Sequence, residues 1–132
     1  MTKEEKELLK KVLCEQLPYG LRVEIEGYHS GILKGIEGDT ISTERGINYP
    51  LRLVRPYLRP WSSMTEEESK EFALLQTDFY VSGFLYPISA INMVNWINAH
   101  HFDPLSGLIE KGLAIAAVGN DNPYKEKGGI GR

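Results

Sequence analysis

Apolar and charged positions alternate along this chain with two different periods, and the change of period marks its elements. Between residues 3 and 16, Leu8, Leu9, Val12, Leu13 and Gln16 fall near one side of a helix while charge covers the other. Thr2 is placed to cap that helix, with Glu4 and Glu5 in the first turn where a carboxylate favours the dipole. Pro18 pushes its predecessor out of the α region, so the helix must end at or before Leu17. From residue 21 the period drops to two. Leu21, Val23 and Ile25 alternate with Arg22, Glu24 and Glu26, the mark of a half-buried strand.

Residues 31–43 predict a second and third strand around a Gly38-Asp39 turn, with Ile32, Ile36 and Ile41 as inward candidates. Residues 46–54 predict a fourth, which Pro50 confines to an edge or a bulge. Pro56 and Pro60 then give residues 55–61 the character of an extended corner between two halves. Thr65 and Glu68 have the spacing of a capping box, opening a helix to about Gln76 with Phe72 and Leu75 inward. A further helix over about 88–99 carries Ile88, Ile91, Val94 and Ile97 down one side, with Trp96 flanking that stripe. Asp103-Pro104 has the form of another helix start and Gly112 of its stop, with a short strand possible in 113–118.

These elements predict an α+β domain: an N-terminal helix (3–16), a small antiparallel sheet or half-barrel (about 21–54), and a mainly helical second half (about 65–112). Strands followed by helices, rather than strict alternation, point away from a doubly wound sheet. The helical part extends to 118, and 119–132 has the turn-rich composition of a flexible tail. A chain of 132 residues fits one domain with a real core and needs neither disulfide nor metal to fold.

Charge changes this picture in one place. The net charge is −3, which argues against wholesale coating of nucleic acid. Yet residues 45–61 hold Arg45, Arg52, Arg55 and Arg59 and no acid, and residues 62–78 hold five acids and one lysine. Arg52, Arg55 and Arg59, with Tyr57 and Trp61 for stacking, form the pattern of a single-stranded nucleic-acid grip. The plainer reading is a corner whose arginines pair with Glu66, Glu67 and Glu71, and it is favoured because no nucleic-acid-binding motif organises them.

Other chemistry is sparse. Cys14 is the single cysteine and, lying within the first helix, is expected to be a small buried hydrophobe. His100, His101 and Asp103, with His29 elsewhere, are possible metal ligands or parts of a small metal-dependent enzyme. Adjacent histidines on a helix diverge, however, so ending the helix is their expected role and no metal is expected. Glu24, Glu26 and Glu37 read as a solvated sheet face. No serine sits in a nucleophile-elbow motif, no glycine-rich nucleotide loop occurs, and no cofactor or catalytic residue is indicated. Residues 79–99 carry no charge, but Pro87 and several asparagines interrupt them, which suits a buried segment better than a membrane span. The N-terminus has no apolar signal region, so the chain is expected to be cytoplasmic.

The aromatic block 78–96 is the strongest functional hint. Tyr80, Phe84, Tyr86 and Trp96, with Phe79, exceed what one face of a short helix pair buries, and any exposed share implies a protein partner or a homo-oligomer. A non-enzymatic protein-interaction module is therefore the expected function, with nucleic-acid binding as the alternative.

The blocks LPYG (17–20), RPYLRPWSSMTEEE (55–68), NWINAHHFD (95–103) and LIEKGLA (108–114) resemble, in that order, a family of small uncharacterised proteins associated with gut Bacteroidetes, their prophages and other mobile elements. The resemblance spans most of the chain from Leu17 to Ala114 and implies a phage- or mobile-element-type accessory protein that binds other proteins. The sequence departs from that pattern at DPLSG (103–107), where the family's loop is expected to carry an aromatic and a basic residue.

Overall fold

The computed structural model describes residues 1–82, 88–103 and 107–124. Helix α1 (Lys3–Gln16) begins as its sequence requires. The Thr2 hydroxyl accepts from the Glu5 amide at 3.0 Å and the Glu5 carboxylate accepts from the Thr2 amide at 2.8 Å, a reciprocal capping box. Leu9, Val12, Leu13 and Gln16 form its buried stripe. Cys14 lies outside that stripe and is exposed, contrary to its expected burial.

Six strands follow: β1 (Arg22–Ile25), β2 (Ser30–Glu37), β3 (Thr40–Thr43), β4 (Asn48–Pro50), β5 (Val54–Leu58) and β6 (Ile115–Ala116). They form one sheet in the order β4-β3-β2-β1-β5-β6, antiparallel except for the β5–β6 pair. The α+β class holds, but the sheet is mixed and reaches beyond residue 54. The segment expected to be a corner is a strand inside the sheet.

Strand β5 tolerates Pro56 because of its register. The Glu26 amide donates to the Leu53 carbonyl at 2.9 Å, and Glu24 pairs Arg55 while Val23 pairs Pro56. Antiparallel pairs alternate between bonded and non-bonded positions, so Pro56 falls where its missing N–H would point away from β1. Its neighbours Val54 and Leu58 are buried with it. The predicted fourth strand breaks into β4 and a helical turn at Leu51–Leu53 before β5 resumes, and Pro50 sits on the edge strand as its chemistry demands.

Leu33, not Ile32, points inward from β2, where a bulge between Leu33 and Gly35 shifts the phase and returns Ile36 to the core side. The core lies between α1 and the sheet: Leu9, Val12 and Leu13 meet Leu21, Val23, Ile25, Leu33, Ile41 and Leu58.

The second half starts at α2 (Glu66–Ser82), six residues longer than expected, and continues in α3 (Ile88–Ala99). Thr65 and Glu68 form the predicted box, with distances of 2.9 and 3.1 Å. No helix among the described residues is long and apolar enough to cross a membrane.

Of the helix predicted after Asp103, the described residues 107–113 form a turn. The Asp103 carboxylate accepts from the Leu108 and Ile109 amides, and at the far end Gly112 (φ 74°) and Leu113 donate to Ile109 and Leu108. That is a Schellman closure, so the stop signal at Gly112 is seen, while Pro104 lies outside the described residues. The first part of the supposed tail is anchored. Half-buried Tyr124 donates from its hydroxyl to the Tyr57 carbonyl at 2.8 Å and accepts from the Arg22 amide at 2.9 Å.

Candidate functional site

The α2–α3 hairpin is joined to the sheet through a compact root centred on Arg59. The Arg59 backbone donates to the His101 carbonyl at 2.7 Å and accepts from the Asp103 amide at 2.8 Å, stitching the chain after α3 to the end of β5. Its guanidinium lies 4.4 Å over the Phe102 ring and grips the Glu68 carboxylate in the first turn of α2 with two bonds of 2.7 and 2.6 Å. That pairing holds the Glu68 carboxyl down to about pH 2, against an opposing push from burial.

Aromatic rings complete the root. Trp61 stacks on Phe102 at 5.0 Å, Phe72 meets both Trp61 and Trp96, and Trp96 stacks on His100 at 4.2 Å. The Trp96 indole N–H donates to Glu71 at 3.1 Å. Beside it lies a buried polar relay. Gln16 Nε2 donates to the Phe102 carbonyl at 3.2 Å, and its Oε1 lies 3.3 Å from Nδ1 of His101. His101 adopts a left-handed backbone (φ 61°) and stacks flat on Tyr124 at 4.0 Å. Burial, helped by the charges of His100 and Arg59, lowers its pKa to about 4, so it is neutral near pH 7.

Away from the root the hairpin is bare. Leu74, Tyr80 and Val81 of α2 are 73%, 75% and 78% exposed, and Ile88, Ile91 and Val94 of α3 are 58%, 51% and 50% exposed. The apolar stripe predicted on α3 therefore faces solvent, and of its members only Ile97 is half-buried. Ser89 and Asn98 are the buried residues of that helix, and the Ser89 hydroxyl donates to Asp78 across the hairpin at 2.7 Å. Among the described residues of α2, Phe72, Leu75 and Phe79 take the more sheltered positions.

The candidates from sequence are thus divided. Of the aromatic set, Tyr80 lies on the bare face and Trp96 in the root, while Phe84 and Tyr86 lie outside the described residues. The three arginines do not share one surface: Arg52 and Arg55 border one hollow, and Arg59 lies apart from it. Arg52 is exposed and has no ion pair among the described residues, Arg55 meets Glu24 at 2.8 Å, and Arg59 is enclosed. Their acidic partners are Glu24 and Glu68, not Glu66, Glu67 or Glu71. Tyr57 is half-buried under Tyr124 and Trp61 is packed in the root.

His100 donates from Nδ1 to the Trp96 carbonyl at 2.8 Å, which fits the end of a helix. No cluster of three metal-ligating side chains occurs among the described residues. His29 sits edge-on to Tyr49, far in sequence from the other two histidines.

Sequence reasoning missed Leu74, Val81 and Phe102. A signal for the first two existed: neighbouring apolar pairs at 74–75 and 80–81 cannot both point inward from one helix. No protein-family model matches the chain, and no curated protein or solved structure matches it either.

Proposed function

We propose that this chain is a non-enzymatic protein-interaction module whose docking element is the outer face of the α2–α3 hairpin. One observation carries the reading: six large apolar side chains, each at least half exposed, lie on two paired helices at the far side of a well-built root. Apolar faces of this kind mark protein contacts, since water contact with such a face opposes leaving it open. The resemblance to accessory proteins of gut Bacteroidetes and their mobile elements supports placing the module in that cytoplasmic context.

A second copy of the chain is a suitable occupant. Helix α3 carries no charged residue, and residues 73–82 of α2 carry only Asp78, which is bonded to Ser89. Two such faces meet without like-charge repulsion, and two hairpins together make a four-helix arrangement. Sedimentation velocity over a range of concentrations tests this. The wild type is expected to pass from monomer to dimer, and a Leu74→Ser, Val81→Ser, Ile91→Ser variant to stay monomeric with unchanged circular dichroism. A wild type that stays monomeric up to millimolar concentration would refute self-association.

A further inference from the structure

We propose that a cavity between α1, β5 and the 107–113 turn binds a small amphipathic anion, a phosphate or carboxylate carried on a short apolar body. The cavity is about 300 Å³, at the small end of ligand-binding clefts. Leu9, Val54 and Leu113 give it an apolar lining, and the first two are almost wholly buried. Arg52, Arg55 and Lys111 also line it, so three cationic side chains border one hollow of mixed polar and apolar lining in a chain whose net charge is −3.

Two acids near them, Glu5 and Glu24, already have partners. Glu5, the only acid among the described lining residues, accepts from the Thr2 amide in the α1 capping box. Glu24 engages Arg55 through one nitrogen, Nη2, leaving the rest of that guanidinium open to a second acceptor. Arg52 and Lys111 are exposed and have no ion pair among the described residues. The turn carrying Lys111 is closed by backbone bonds and Asp103, and Arg52 lies on a turn held by the Leu51 amide's bond to Asp39, so neither cation is needed to close its own turn. Guanidinium forks match the paired oxygens of carboxylate and phosphate, and Lys111 supplies a point charge beside them. An apolar body against Leu113 and Val54 would displace water, which inorganic phosphate alone cannot do.

The test is an amide-shift titration by NMR with three probes: phenyl phosphate, inorganic phosphate and benzyl alcohol. Phenyl phosphate is expected to give saturable shifts at Val54, Leu113 and Gly112, and each of the other probes to bind about tenfold or more weakly. Arg52→Gln and Lys111→Gln, both at exposed sites, are each expected to weaken phenyl phosphate binding about tenfold while leaving the spectrum otherwise native. Absence of saturable shifts overturns the site. Unchanged binding when Arg52→Gln and Lys111→Gln are combined overturns the cationic rim, and equal affinity for inorganic phosphate overturns the apolar part. None of these outcomes depends on the hairpin face.

Discussion

Arg59 at the end of β5 and Glu68 in the first turn of α2 form a two-pronged ion pair, and it is the one salt bridge among the described residues with both partners largely shielded, at 13% and 16% side-chain exposure. The same Glu68 carboxylate caps Thr65, so one acid both starts a helix and fixes it to the sheet. A flexible ammonium cannot reproduce two parallel bonds and the stacking on Phe102. Arg59→Lys is therefore expected to cost about 1–3 kcal/mol in urea denaturation, and a change within error would refute this keystone role.

The pair also sets an acid limit. A carboxyl held near 2 when folded and near 4.5 when unfolded contributes stability that is complete above about pH 4.5 and is lost as pH falls toward 2. Glu68→Gln is expected to lower stability at neutral pH and to flatten the pH dependence in that window. Chemical denaturation of both proteins between pH 2 and 6 would show it.

His101 acts in a different window. Its folded pKa of about 4 lies below the ordinary imidazole value, so the unfolded chain binds the proton more readily. Stability is full above about pH 6.5 and falls as pH drops toward 4, by at most about 3 kcal/mol from this group. His101→Asn keeps a residue that accepts the left-handed backbone and removes the titration. The variant is expected to show a flat profile between pH 4 and 6.5, and a persisting slope of the same size would assign it to other groups.

Tyr124 closes the domain from its C-terminal side. Tyr124→Phe keeps the ring on His101 but strands the Arg22 amide and the Tyr57 carbonyl, which its hydroxyl serves. The expected cost is about 1–3 kcal/mol, with faster hydrogen exchange at the Arg22 amide. Exchange unchanged at Arg22 would show that water replaces the hydroxyl.

Three local signals in the sequence translated directly into structure. The N-cap at Thr2 and capping box at Thr65, the alternation of Leu21, Val23 and Ile25, and the stop at Gly112 act within a few residues, and each reappears in the structure. Pro56 misled because a proline's tolerance in a strand depends on which way its nitrogen faces, and the neighbouring strand sets that. Ile32 misled because a bulge between Leu33 and Gly35 shifts the inward phase of β2.

The candidate surfaces were less legible. Periodicity identified the apolar stripe of α3 correctly as a stripe, yet a stripe does not say what it faces. That depends on where Arg59, Trp61 and Phe102 hold the hairpin against the sheet, and they hold it so that Ile88, Ile91 and Val94 meet solvent. The gathering of Arg52, Arg55 and Lys111 around one cavity joins positions more than fifty residues apart, which no local pattern can report. The sequence by itself determined the class of the fold, the first helix and strand, and the caps at Thr2 and Thr65, because backbone geometry and helix-end hydrogen bonding are short-range. The tertiary structure alone decided strand order, arginine partners and the exposed hairpin face, because those follow from packing between distant segments.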